Sequence, residues 1–499
     1  MTANVDLLVV GGGINGCGIA RDAAGRGLSV LLVERDDLAA HTSSASTKLI
    51  HGGLRYLEYY EFRLVREALA EREVILRIAP HLVRPMRFVM PLKGDMRPAW
   101  MIRAGLFLYD RIGGRTSLPR SEGVTLEGTA SGAGLKGVAR GFAYSDAWVD
   151  DARLVVLNAL SAAEHGATIR TGAGLTGARR DGDRWLATLD DGSEISARTI
   201  VNAAGPWVAQ VLGELAGAKP EPPPRLVKGS HIIVRRCFEG DHAYILQNED
   251  KRIVFAIPYE GAFTLIGTTD KPFTGDPSRP TIDPDEVAYL CTSVNRYFAD
   301  PIGPADVVRS YSGVRPLYDD GHADAAAVTR DYVLKLGMDE GPQVLSAFGG
   351  KITTYRRLAE HALEKLRPRL PAMGAPWTAD APLPGGDLPG GDFGAFLRTV
   401  RDRWPFLSAA NAERLARAYG TRIALVLGGA TALDDWGGGL SEPEVRYLFT
   451  HEWARSADDI LWRRTKIGLH TGKPTLDRVT AWLDVALRES RRSPDPAEL

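Results

Sequence analysis

The spacing of apolar and polar positions divides the chain into segments of helical and strand period. Residues 7–10 form a short apolar run with β-branched Val9 and Val10, and read as a buried strand. The run stops at Gly11-Gly12-Gly13-Ile14-Asn15-Gly16. The chain can then form a helix to Arg26, and residues 29–33 read as the next buried strand. Residues 62–78 are amphipathic, with Leu64, Ala68, Leu69, Val74 and Ile75 apolar, so the charged side reads as a solvated face. Residues 80–92 read as extended and are broken by prolines, and residues 98–113 are apolar and aromatic. A helix is expected over 150–165, with Leu154, Val155, Leu157, Ala159 and Leu160 as its apolar positions. Alternation over 167–175 and 184–200, with turn signals at Asp181-Gly182-Asp183 and Asp190-Asp191-Gly192, predicts a small β-meander. The buried run TIVNAAGPW at 199–207 ends in a glycine turn and is expected beside the first strand.

Prolines at 220–224 mark a boundary. Strand patterns dominate 226–270 and read as antiparallel strands of a second domain. Residues 282–298 revert to helix, while 307–318 and 327–336 return to strand. Residues 343–348 are another buried strand, followed by Gly349-Gly350-Lys351 and a helix over 354–366. This second strand–glycine–helix unit reads as the closing piece of the first domain, which is therefore discontinuous, with the β-rich domain inserted. Residues 371–394 are rich in glycine and proline and read as a linker; residues 396–486 are mostly helical.

Composition narrows the function classes. The chain has 499 residues, 44% hydrophobic and 25% charged, which fits two to four globular domains. A formal net charge of −1 supplies no bulk field for nucleic acid. The three cysteines, Cys17, Cys237 and Cys291, match no metal or redox spacing, so no metal centre is expected and a reducing compartment fits. No signal peptide or membrane-spanning run is legible, which leaves a cytoplasmic protein with membrane contact at most peripheral. Two basic and aromatic sets are candidates for such contact. One is Arg97, Arg103, Arg111, Arg115 and Arg120 with Trp100, Phe107 and Tyr109 among them; the other is Trp453, Trp462, Arg463, Arg464 and Lys466. Helix packing accounts for either set equally well.

The first forty residues carry the strongest chemical signal. Gly11, Gly13 and Gly16 complete G-x-G-x-x-G between a strand and a helix, and Glu34 closes the second strand. The glycines let the backbone approach a pyrophosphate, the helix N-terminus offers free N–H groups, and Glu34 can accept from ribose hydroxyls. A dinucleotide is implied, with NAD and FAD both open on this motif alone. The run Thr42, Ser43, Ser44, Ser46, Thr47 reads as a loop that wraps the cofactor and ends in IHGGLRYL.

The motifs GGGINGCGIARDAAGRGLSVLLVE, TSSASTKLIHGGLRYLEYYEFRLV, APHLVRPMRFVMP, YSDAWVDDARLV, NAAGPW, KGSHIIV, YILQNEDKRIVFAIPY, IGTTD, YSGVRPL, TRDYVL, FGGKITTYRRLAEHALEKL and HEWARSADDILWRRTK occur in this order over residues 6–482. Together they resemble the FAD-dependent, quinone-linked glycerol-3-phosphate dehydrogenases, the bacterial aerobic form in particular. The resemblance implies an α/β, D-amino-acid-oxidase-like flavoprotein: a Rossmann-type FAD domain (1–80, 150–222, 341–370), an inserted antiparallel β-sheet substrate domain (81–149, 223–340), a linker (371–394) and a C-terminal helical domain (395–499). It implies noncovalent FAD, sn-glycerol 3-phosphate as substrate, membrane quinone as electron acceptor, a peripheral place on the cytoplasmic face of the inner membrane, and a possible homodimer. Oxygen as acceptor, giving a glycerol-3-phosphate oxidase, stays open.

The substrate so implied needs cations for its phosphate and a base for its C2 hydroxyl. Arg55, Arg315 and Arg330 match pocket positions of the family, with Tyr56 beside them. His51 and His231 are candidate bases, with Lys351 a third; Thr269 and Asp270 are placed to orient substrate or base. Lys351 alternatively favours the reduced flavin. Cofactor contacts are expected from Gly11, Gly13, Asn15, Gly16, Glu34, Arg35, Thr42, Ser43, Ser46, Lys48, Leu49 and Gly53, and from Gly205, Trp207, Gly350, Lys351, Ile352 and Thr353.

Overall fold

The computed structural model describes residues 3–93, 97–218, 221–318, 331–337 and 341–492. Arg330 lies outside these residues, as does the first part of the 327–336 strand pattern.

Two sheets organise the molecule. The first runs in the order Val333–Leu336, Gln343–Phe348, Glu194–Asn202, Ala3–Val10, Val30–Glu34, Thr168–Thr171. Four of the five pairings along this order are parallel, as expected where strands buried on both faces form continuous apolar runs: Val30–Glu34 is buried at all five positions. Helices Ile14–Gly25, Asp151–Glu164 and Tyr355–Leu366 cover one face, and their apolar sides share one core. The hairpin Leu175–Asp181 and Arg184–Leu189, with the short helix Val208–Gly213, encloses the core of the other face. Helix Ile14–Gly25 packs close to its strand because Gly16 has no side chain. A Cβ there would stand 1.9 Å from the Gly11 carbonyl oxygen.

Ala3–Val10 pairs with Val30–Glu34 on one side and Glu194–Asn202 on the other. The sheet therefore changes winding direction at the C-terminal end of its first strand. In open α/β sheets this switch point is where a crevice forms.

The second sheet has ten strands. Arg225–Arg235 is paired by Val307–Leu317 and Phe263–Gly267, and the sheet continues through Ile253–Tyr259, Ala243–Gln247, Val83–Pro91 and Arg140–Val149. It is antiparallel except where Ala243–Gln247 runs parallel to Val83–Pro91. Helix Pro284–Asn295, started by an Asp283–Glu286 capping box and Pro284, packs on it.

The structure corrects four expectations. Val333–Leu336 pairs with Gln343–Phe348 and so extends the first sheet, not the inserted one. Leu49–Ile50, in the segment assigned to the nucleotide domain, joins the second sheet beside Arg140–Val149. The segment 371–394 is no free linker: Met373, Leu383 and Leu388 are buried, and the Trp377 indole donates to the Asp22 carbonyl. The charged side of helix Phe62–Ile78 is not fully solvated, because Glu71 pairs with Arg356 and Arg72 with Asp146 in the interior.

His81 is fully buried, and neither ring nitrogen has a hydrogen-bond partner among the described residues. Burial, aided by Arg153 and Arg417, holds its pKa down at about 3. The unfolded chain, with His near 6.5, binds the extra proton between these values, so stability present at neutral pH drains away as pH falls below 6.5. His81→Leu should remove about 2 kcal/mol of the stability lost between pH 7.5 and 5. Urea midpoints at both pH values check this; identical pH dependence in variant and parent would refute it.

Candidate active site

A cavity of about 380 Å³ opens at the switch point and extends into the second sheet. At one end, Gly11, Gly13, Glu34 and Arg35 line it. Gly11 has φ +113, and a Cβ there would meet the Ala203 carbonyl oxygen at 2.6 Å. Only glycine holds this turn. Glu34 is buried, and accepts from the amides of Gly12 (2.6 Å) and Asp36 (2.9 Å). Burial raises its pKa, against the pull of those two amides. The Arg35 guanidinium stacks on Trp207, 4.0 Å from the ring centre, and both line the cavity. Asn15 donates to the Gly349 carbonyl at 3.0 Å, which joins the first glycine turn to the second.

The hydroxyl-rich loop forms one wall. Ser43 Oγ accepts from the Ile14 amide (3.0 Å), Thr42 donates to the Val314 carbonyl (2.7 Å), and Tyr311 donates to the Ser46 carbonyl (2.8 Å). Gly313 permits this approach, since a Cβ would stand 2.8 Å from the Ala45 methyl. Leu49, Gly205, Gly350, Ile352 and Thr353 also face the cavity.

At the far end the second sheet contributes the chemistry. Arg315 on strand Val307–Leu317 lines the cavity and donates to Asp270 at 3.3 Å. Lys351 lies 3.9 Å from the centre of the Tyr56 ring. His51 lines the cavity, its amide donating to Thr353 Oγ1 at 3.2 Å, and neither ring nitrogen has a partner among the described residues. The next amide, Gly52, donates to the Tyr109 hydroxyl, which donates in turn to buried Asp146. Burial, then Lys351 and Arg72, lower the His51 pKa to about 4. His231 is more enclosed. It stacks on Tyr311, its Nε2 is 3.0 Å from Thr47 Oγ1, and it packs against Gly267, where a Cβ would stand 2.0 Å from the ring. Burial, with Lys48 and Arg315, lowers its pKa to about 3. Both imidazoles are thus neutral at pH 7 and able to accept a proton.

Five expected site residues do not line this cavity. Thr269 is turned into the interior, donating to Glu286 at 2.6 Å and accepting from the Ser230 amide. Its neighbours Thr268 and Asp270 face the cavity instead. Arg55 points toward Tyr59. The Lys48 ammonium is buried against Asp151 at 2.7 Å. Gly16 and Gly53 shape their turns from behind; Gly53 has φ +75 and sits under the Tyr56 ring. Gln210, Gly229 and Asp331 also line the cavity beyond the expected contacts; Gly229 and Asp331 lie in the motifs KGSHIIV and TRDYVL, and Gln210 lies in none.

The donor set suits an extended dinucleotide: a glycine turn and helix N-terminus, a second turn from Gly349 to Thr353 tied to the first through Asn15, and the hydroxyl loop along one wall. The family model for FAD dependent oxidoreductases matches residues 6–356, and that for the C-terminal domain of alpha-glycerophosphate oxidase matches 377–495. A glycerol-3-phosphate dehydrogenase of Pseudomonas aeruginosa is 56% identical over 474 residues, covering 93% of this chain and 92% of that one. A D-erythritol 1-phosphate dehydrogenase of Brucella abortus is 51% identical over 491 residues, covering 96% and 98%. The crystal structure of a glycerol-3-phosphate dehydrogenase from Bacillus halodurans, complexed with FAD, superposes with TM-score 0.75 at 27% identity, covering 98% of this chain and 90% of that one. With glycine turn, acid, wrapping loop and second glycine turn all lining one cavity, the chain belongs to the FAD dependent oxidoreductases, and among them to the glycerol-3-phosphate dehydrogenase family.

Proposed function

We propose that this FAD-dependent dehydrogenase oxidises sn-glycerol 3-phosphate to dihydroxyacetone phosphate and passes the electrons to membrane quinone. The observation that carries the reading is that Arg315, His51 and Lys351 all line the dinucleotide cavity, with Lys351 near enough to His51 to lower its pKa. Bound FAD supplies the hydride acceptor. Arg315, held in place by Asp270, takes the phosphate through paired N–H donors. His51, neutral and facing the cavity, takes the proton of the C2 hydroxyl. Lys351 keeps a positive charge where negative charge accumulates during reduction. Arg330, on its motif, is proposed as a second phosphate ligand.

A second reading rests on the Brucella relative: D-erythritol 1-phosphate offers the same phosphate and a secondary alcohol on a longer chain. Anaerobic mixing of the purified flavoprotein with each substrate decides between them. Bleaching of the flavin absorbance should be fast with sn-glycerol 3-phosphate and slow with the tetritol phosphate. The reverse order would exchange the two readings, and no bleaching with either would remove both. Peroxide yield in aerated turnover separates quinone from oxygen as acceptor.

No helix among the described residues is long and apolar enough to cross a membrane. Peripheral contact at the cytoplasmic face is proposed through helix Ala99–Ile112. Trp100 and Phe107 are 74% and 51% exposed on it, Arg111 covers the Phe107 ring, and Tyr60, 80% exposed, belongs to the adjoining turn. Large exposed aromatics with basic neighbours suit an anionic lipid surface. The other basic set has no such freedom: Arg463 and Arg464 pair with Asp37, Lys466 with Asp150, and the Arg309 guanidinium covers Trp462. A Trp100→Glu/Phe107→Glu variant should lose at least 10-fold in sedimentation with anionic vesicles while reducing flavin normally. Undiminished sedimentation would exclude this helix.

A further inference from the structure

The C-terminal region reaches the cofactor loop through a chain of buried ion pairs. Asp37 stands three residues after Glu34, where the wrapping loop begins. Its carboxylate accepts two hydrogen bonds from Arg464, at 2.8 and 2.7 Å, and one from Arg463 Nε at 2.7 Å. Arg464 is wholly buried and donates also to the Glu452 carbonyl at 2.7 Å. The Glu452 carboxylate, equally buried, is held by the Arg153 guanidinium. Arg153 lies on helix Asp151–Glu164, whose first residue binds the other end of the loop. Asp151 accepts from Ser46 Oγ and Lys48 Nζ, both at 2.7 Å. The preceding residue, Asp150, pairs with Lys466.

Charges thus alternate along Asp37, Arg464, Glu452 and Arg153, and the C-terminal region grips the loop directly at Asp37. It grips Ser46 and Lys48 indirectly, through the start of helix Asp151–Glu164. Between these two anchors lie Ala39, His41, Thr42 and Ser43, all lining the cavity. None of the C-terminal residues in this chain lines the cavity itself.

We infer that the C-terminal region acts as a lock on FAD retention, with Asp37 and Arg464 as positioning residues that hold the wrapping loop closed over the bound cofactor. The energetic ground is the asymmetry of buried pairs. Deleting one partner strands the other charge in the interior, and the cheapest relief for Asp37 is to swing toward solvent with its loop. Loop opening is the step a tightly wrapped dinucleotide needs for release. The C-terminal region therefore affects the cofactor's off-rate without touching the reacting atoms.

The test measures flavin release from the holoenzyme by fluorescence recovery after dilution. Asp37→Asn and Arg464→Met should each release FAD at least 10-fold faster than the parent. Excess FAD should restore flavin content, and at saturating FAD the KM for sn-glycerol 3-phosphate should be unchanged. The control is Glu444→Gln. That carboxylate is equally buried, and its partners Arg414 and Tyr419 both belong to the C-terminal region. It should release flavin at the parent rate even where it lowers Tm. If Arg464→Met does not fold, Arg463→Gln removes one bond to Asp37 from a partly exposed side chain and gives the same readout. Parent-like release in Asp37→Asn, or equal acceleration by Glu444→Gln, overturns the inference.

Discussion

Arg315→Met is expected to raise KM for sn-glycerol 3-phosphate roughly 100-fold, the worth of two charge-assisted hydrogen bonds at about 1.5 kcal/mol each. Flavin content should be unchanged, because Arg315 belongs to the second sheet and is no part of the glycine turn. Arg315→Lys should recover only part of the loss, since an ammonium cannot present paired donors to one phosphate. Inorganic phosphate, as a competitive inhibitor, should weaken in parallel. Steady-state KM and phosphate inhibition constants check this; a KM within threefold of the parent would move phosphate binding elsewhere.

His51→Gln should slow flavin reduction at saturating substrate by roughly 1,000-fold, within the range general bases contribute. Substrate affinity should be nearly retained, because His51 is assigned no phosphate contact. His231→Asn should cost much less: its Nε2 is engaged by Thr47 and its ring is closed in by Tyr311 and Gly267. The ratio of the two single-turnover rates decides which imidazole is the base, and a larger loss in His231→Asn would reverse the assignment. The pH profile adds a sign. His51 in the free enzyme is neutral above about pH 4, so it leaves kcat/KM flat from about pH 5 upward and depresses it only below. A phosphate monoester dianion takes up a proton near pH 6. An acid limb near pH 6 therefore belongs to the substrate and should persist in His51→Gln.

Much of the architecture was legible because its signals are local. The strand–glycine–helix order at Gly11 to Gly16 specifies a turn through short-range sterics, and Glu34 follows at the end of the paired strand. Helix Phe62–Ile78 occupies the full span its amphipathic pattern marks. What the pattern did not show was the fate of its charged residues. Glu71 and Arg72 are drawn inside by Arg356 and Asp146, which come from segments remote in sequence. The same limit applies at the site. Alternation along GTTD says that Thr269 and Asp270 face opposite ways but not which way the cavity lies, and the structure gives it to Asp270. Arg55 and Lys48 sit in motifs that border the cofactor, yet their side chains turn to Tyr59 and Asp151.

The basic residues near the C-terminus make the point most fully. Trp462, Arg463, Arg464 and Lys466 have the composition of a surface patch, and composition does not distinguish a charge facing water from one facing a buried carboxylate. Asp37 and Asp150, hundreds of residues earlier, settle it. By itself the sequence determined the dinucleotide turn, the order of strands and helices, and the family, because these rest on short-range backbone geometry and on motifs that keep their order. Only the tertiary structure decided which charges are buried, which face of each strand meets the cavity, and that the C-terminal region closes on the cofactor loop. Those outcomes depend on desolvation and pairing between segments that no local pattern brings together.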